Sequence, residues 1–116
     1  DRIIWAGSRS DMPAIYACCD IIINASPLMG NVARTLLEAL AMDVPVLSTQ
    51  LEGLEQLVRD GVNGYLFKTG DADDLAAKLK LLLDGPALHP RETIPEEFTL
   101  ERMVESTLSI YRSLNR

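Results

Sequence analysis

Between Ser26 and Met42 the chain carries one carboxylate, Glu38, inside the run SPLMGNVARTLLEALAM. Wound as a helix, residues 31 to 42 align Val32, Leu36 and Leu40 beside Ala33 and Leu37. Asn31, Arg34, Thr35 and Glu38 gather on the other side as a polar stripe. A carboxylate about two turns inside such a helix can accept hydrogen bonds from the vicinal hydroxyls of a sugar. The backbone N–H groups of Asn31, Val32 and Ala33 lack partners within the helix and sit at the positive end of its dipole, which suits a phosphate. The same spacing also suits a surface ion pair, Arg34 with Glu38 at i,i+4, in the less favourable order. Spacing alone leaves both readings open.

Other chemistry-bearing residues read as structural. Asp71-Ala72-Asp73 has the look of a metal-binding aspartate pair, but it opens a helical pattern, and Asp71 with Asp74 resembles a capping box. His89 stands alone in a proline-rich stretch. Ser8, Ser26 and Ser48 end apolar runs, but no G-x-S-x-G surrounds them, which argues against a hydrolase. Cys18 and Cys19 are adjacent, a poor geometry for a mutual disulfide, and show no zinc-ligand spacing. They are expected to be reduced and at least partly buried. Lys78 and Lys80 are too few to make their helix a basic membrane-facing one.

The elements that must position these residues alternate. Ile3-Ile4-Trp5-Ala6, closed by Gly7, reads as a strand. Ser10 or Asp11 caps a helix with Pro13 in its first turn and Ala14, Ile15, Ala17 and Cys18 on its apolar face. A second strand runs from Ile21 to about Ala25, the polar-striped helix follows, and Val44–Ser48 is a third strand. A short helix spans Glu52–Arg59, turns fall at Asp60-Gly61 and Asn63-Gly64, and Tyr65–Phe67 is a fourth strand. A helix with Leu75, Ala76, Leu79, Leu82 and Leu83 inward opens at Asp71. Residues 85 to 97 read as loop. Thr99 caps a last helix with the stripe Met103, Thr107, Ile110, Tyr111 and Leu114. Continuous apolar strands alternating with helices mean an α/β fold, a Rossmann-like parallel sheet with helices on both faces, whose ligands bind outside the strands' carboxyl ends.

At 116 residues and 47% apolar, the chain can bury one domain's core. A net charge of −6 without a Lys/Arg run argues against nucleic acid as a partner. No apolar run nears the roughly 20 residues of a membrane span, and the opening residues have no basic head with a long apolar stretch. The thiols suit a reducing compartment, so the cytoplasm is expected, a setting compatible with peripheral membrane association. The segment DRIIWAG, strand-like from residue 2, suggests a piece of a longer polypeptide.

The blocks RSDMPAIYACCDIIINAS and ARTLLEALAMDVPVLSTQLEGLEQLVRDGVNGYLF, in this order and spacing, resemble the donor half of retaining glycosyltransferases of the GT-B fold, the group 1 glycosyl transferase type. The resemblance covers about residues 2 to 83, and EEFTLERMVESTLSIYRSL resembles the family's C-terminal helix. It implies one partial domain over residues 1–116, the C-terminal nucleotide-sugar-binding part, with the N-terminal acceptor domain of the same protein absent. It implies a nucleoside-diphosphate sugar as donor, an acceptor of unknown identity, and no cofactor or divalent metal. The second glutamate of the family's two-glutamate motif falls on Glu38, a ribose-binding role. Asn31, Val32 and Ala33 correspond to amides that hold the diphosphate, and Thr35 lies beside the nucleotide. No catalytic residue is identified.

Three positions depart from the family pattern. Gly30 stands where the first glutamate would be, Glu52-Gly53 replaces paired glycines, and Gln56, beside Glu55, replaces another glutamate. Nucleotide contact is therefore better supported than sugar contact. A non-catalytic binding or assembly module that has lost its donor-sugar contacts is the alternative. Another doubly wound nucleotide domain has no support, because there is no G-x-G-x-x-G. The resemblance implies the strand order 3-2-1-4-5-6, with residues 3 to 6 as the third strand. The chain's other three strands would then be the last three, leaving a gap for two missing ones.

Overall fold

The computed structural model describes residues 2–115. Three strands form one parallel sheet in the order β1-β2-β3: β1 (Ile22–Asn24), β2 (Val46–Thr49) and β3 (Gly64–Phe67). Four α-helices accompany them: α1 (Met12–Ala17), α2 (Val32–Ala41), α3 (Ala72–Asp84) and α4 (Leu100–Leu114). All four β2 residues are buried, so the central strand is covered on both sides. Val46 points into a cluster with Leu36, Ala39 and Leu40 of α2 and with Leu54, Leu57 and Val58. Leu47, which alternation turns to the opposite face, is equally buried, and α3 packs along β2 and β3. The Rossmann-like α/β layering expected from the sequence is present.

The strands follow from their composition. Buried parallel strands have no solvent face, and Val46-Leu47-Ser48-Thr49 needs none. Val44 and Pro45 lie before the strand rather than in it. Val44 is still buried, and the Pro45 carbonyl accepts the Ile22 N–H. β3 can begin where it does because its first residue is glycine: a Cβ on Gly64 would stand 2.0 Å from the Val46 carbonyl oxygen. Asn63 lies in a turn, as expected, and is also fully buried. Its Oδ1 accepts the Arg59 N–H, and its Nδ2 donates to the Leu57 carbonyl and to Thr93 Oγ1.

Several expectations need correction. Residues 3 to 6 form no strand. Ile3, Ile4 and Trp5 are exposed (77, 87 and 94%), and no described residue supplies the ladder partner a strand requires. They are not paired with β1, whose outer edge has no neighbour among the described residues. The stretch 52 to 59 holds only a 3-10 turn at Leu54–Gln56, entered through Gly53. The stretch 85 to 97 contains two such turns, Pro90–Thr93 and Glu96–Phe98. In α1 the inward residues are Ile15 and Tyr16, with Cys19 just beyond. Ala14, Ala17 and Cys18 face out. In α3 the inward stripe is Leu75, Leu79 and Leu82, while Ala76 and Leu83 face out. The α4 stripe is exposed along its length, so no described element covers it.

Candidate functional site

The carboxyl ends of β1 and β2 lie side by side, Asn24 opposite Ser48, and Asn24 Nδ2 donates to Ser48 Oγ at 3.3 Å. The loop to α2 starts there. Ser26 Oγ bonds both the N–H and the carbonyl of Leu28, a local turn. Thr49 Oγ1 donates to the Ser26 carbonyl at 2.6 Å and ties the loop to the end of β2. The serines at 26 and 48 thus organise backbone and carry no nucleophile arrangement. The loop then passes Gly30 at φ +39°, a conformation that disfavours side chains, in space where a Cβ would meet no atom within 4 Å.

α2 begins after Asn31. The Asn31 side chain makes no capping bond. The Val32 N–H is already donated to the Met29 carbonyl at 2.8 Å, and its side chain is buried in the core. Val32 is therefore not free to meet a phosphate as expected: the turn before the helix takes its donor. The Ala33 N–H has no acceptor among the described residues, and the Ala33 side chain packs against the core.

The polar stripe faces α1 across a cavity of about 540 Å³. Asn31, Arg34, Thr35 and Glu38 form its α2 wall, and Met12, Pro13 and Tyr16 its α1 wall, with Ala41 and Met42 at the far end. Most of the exposed lining area is apolar, and the α2 wall concentrates the polar groups, a common composition for small-molecule sites. Glu38 is held by two donors. Tyr16 Oη donates to Glu38 Oε2 at 3.0 Å, and Arg34 Nε donates to Oε1 at 3.1 Å. The Arg34–Glu38 ion pair of the simpler reading exists, with Arg34 81% and Glu38 42% exposed. Both readings of the stripe therefore meet in one place.

Tyr16 went unnoticed in the sequence. One signal was available: a tyrosine amid small residues on a short helix buries its ring, and its hydroxyl must then find a partner. Burial first, then the bond to Glu38, pushes its hydroxyl up to about 12. α1 itself is positioned by the Asp11 carbonyl, which accepts the Ala14 and Ile15 N–H groups. The Asp11 side chain does not cap it. Both of its oxygens pair with Arg9, whose guanidinium holds the carboxyl below its ordinary range.

The remaining candidates stand elsewhere. Asp71 caps α3 through the Asp74 N–H, and Asp74 accepts the Lys68 N–H. His89 Nδ1 lies 4.0 Å from Asp43 Oδ2 on an exposed strap that Asp43 also holds through the Arg91 N–H. Both cysteines are free. Cys19 is half-buried with its Sγ on the Ile15 carbonyl, but Cys18 is exposed, because the end of α1 turns it outward. Glu52, Glu55 and Gln56 are exposed and do not line the α1–α2 cavity. Among the described residues, no helix is long and apolar enough to cross a membrane.

The family model described as "Glycosyl transferases group 1" matches residues 1–85. The chain is 29% identical over 122 residues to N-acetyl-alpha-D-glucosaminyl L-malate synthase of Bacillus anthracis, covering 100% of this chain and 32% of that protein. It is 31% identical over 121 residues to lipopolysaccharide core biosynthesis glycosyltransferase LpsE of Rhizobium meliloti, covering 97% and 34%. It is 31% identical over 110 residues to lipopolysaccharide 1,6-galactosyltransferase of Salmonella typhimurium, covering 90% and 30%. The chain thus spans about a third of the length of the curated relatives it matches. With the parallel sheet, the polar face of α2 and a family match over most of the chain, the chain belongs to the group 1 glycosyl transferases.

Proposed function

We propose that the protein carrying this chain transfers a sugar from a nucleoside-diphosphate sugar to an acceptor with retained anomeric configuration, and that this chain supplies part of the donor-nucleotide site. Glu38 receives the ribose hydroxyls, Thr35 lies beside the nucleotide, and the amides of Asn31 and Ala33 face the diphosphate at the positive end of α2. No divalent metal or cofactor enters the reading, and an N-terminal domain of the same protein holds the acceptor. The reading puts the reaction in the cytoplasm, a setting compatible with peripheral membrane association. The observation that carries it is the shared wall: Asn31, Thr35 and Glu38 line one cavity from the start of α2 to the end of its second turn. A chain that has kept the fold but lost donor-sugar contacts is the second reading, favoured by the open space around Gly30.

Titration of the full-length protein with uridine, guanosine and adenosine diphosphates tests the reading. One of them is expected to bind selectively. Glu38→Ala should weaken that binding by roughly 1.5–3 kcal/mol, the range for hydrogen bonds to a charged acceptor. Affinity unchanged in Glu38→Ala removes the ribose role. Selective nucleotide binding without sugar transfer from any donor favours the non-catalytic reading.

A further inference from the structure

Glu38 meets two donors of unequal character. Arg34 lies on the same helix, is mostly in solvent, and its pairing with Glu38 is of the weak, screened kind. Tyr16 reaches over from α1. Its side chain is 4% exposed and belongs to the core cluster, so packing holds the ring. Two torsions set the position of its hydroxyl, and both are fixed once the ring is packed. Glu38 has one torsion more and is half in solvent, so its carboxylate would otherwise sample several orientations. A carboxylate offers about four acceptor sites. Tyr16 and Arg34 take one on each oxygen, leaving roughly two for a ligand in the cavity that Glu38 lines. Two adjacent hydroxyls on a furanose ring are rigidly spaced. They engage one carboxylate together only if its plane is held.

We infer that Tyr16 is a positioning residue: its hydroxyl holds the Glu38 carboxylate in the plane that receives two adjacent ribose hydroxyls, and so gives the site its preference for ribonucleotides over 2′-deoxyribonucleotides. The inference rests on the proposed role of Glu38. It differs from a purely structural part for Tyr16, in which the bond to Glu38 only satisfies a buried hydroxyl. A structural part changes stability. A positioning part changes the ratio of two affinities.

The test is calorimetric titration of the full-length protein with the preferred nucleoside diphosphate and with its 2′-deoxy analogue. The wild type is expected to prefer the ribonucleotide by about tenfold or more, the scale of one hydrogen bond to a charged group. Tyr16→Phe keeps the ring and removes the hydroxyl. It should shrink the preference to within about threefold, while the thermal midpoint is followed separately. Adding Tyr16→Phe to Glu38→Ala should change the ratio no further. Arg34→Ala, an exposed change that does not threaten folding, removes the other donor to Glu38 and should cost less of the preference than Tyr16→Phe. If Tyr16→Phe retains the wild-type ratio while Glu38→Ala loses it, the inference about Tyr16 is overturned and the role of Glu38 stands. If Arg34→Ala abolishes the preference, Arg34 is the group that orients Glu38 and the inference is again overturned, even should Tyr16→Phe fold poorly. If the wild type shows no preference, or Glu38→Ala keeps it, the reading of Glu38 falls and takes the inference with it.

Discussion

At the scale of single residues, Tyr16 and Glu38 are readable by titration. The free phenol loses its proton near 10, and in this fold the value rises to about 12, because burial and the neighbouring carboxylate both disfavour tyrosinate. A raised value in the folded state means that the neutral phenol favours folding. That contribution is complete below pH 10 and is lost as pH climbs through about 12. Tyr16→Phe has no such proton to lose. Its stability is therefore expected to fall less steeply than that of the wild type between pH 10 and 12, measured by denaturant melts across that window. Identical alkaline limbs in the two proteins would show that the Tyr16 hydroxyl is neither buried nor bonded as described.

At the scale of elements, Asn63 is the joint between the sheet and the connections around it. It lies immediately before β3 and fastens the turn at 57 to 59 to the 3-10 turn at Pro90–Thr93. None of its polar atoms is left unpaired, as a buried amide requires. Asn63→Ala would strand the Arg59 N–H and the Leu57 carbonyl without a partner. The expected loss is about 2–4 kcal/mol, read as a lower denaturant midpoint with an unchanged slope. A loss below about 1 kcal/mol would mean that water replaces the amide and that the joint is not structural. An exposed turn asparagine without these bonds would tolerate the change. The sheet's register depends on the neighbouring Gly64, because Val46 N–H bonds the Asn63 carbonyl beside it.

At the scale of the whole molecule, the body and its extremities differ. The chain extends 60 × 29 × 27 Å with a radius of gyration of 16.2 Å. A compact domain of this length would have a radius of about 13 Å. The excess comes with exposed apolar residues at both ends of the sequence: Ile3, Ile4 and Trp5, and on α4 Leu100, Met103, Ile110, Tyr111 and Leu114. Exposed large apolar side chains in this number mark an interaction surface or an aggregation liability. The 116-residue chain expressed by itself is therefore expected to bind a hydrophobic dye in its native state and to self-associate as concentration rises. A dye-silent chain that stays monomeric by light scattering would contradict the exposed positions of these side chains.

What could be read from the residues alone was whatever depends on neighbours within a turn or two. The stripe of Asn31, Arg34, Thr35 and Glu38 is a consequence of helical period, and it lines a cavity. The caps Asp71 and Thr99 bond amides three residues on, as their types and positions imply. The three strands follow from short apolar runs, of which only β2 is buried throughout, and their parallel pairing from the helices or long connections between them. Tertiary structure decided what depends on partners far along the chain. Tyr16 meets Glu38 across 22 positions, and Asn63 meets Thr93 across 30. Residues 3 to 6 have a strand's composition but no described neighbour to pair with, and a strand exists only as part of a ladder. Cys18 and Cys19 have the same side chain and differ in burial, because only the docking of α1 chooses which of two adjacent positions faces inward. Local periodicity is set by covalent geometry, whereas burial and pairing are set by where the rest of the chain comes to lie.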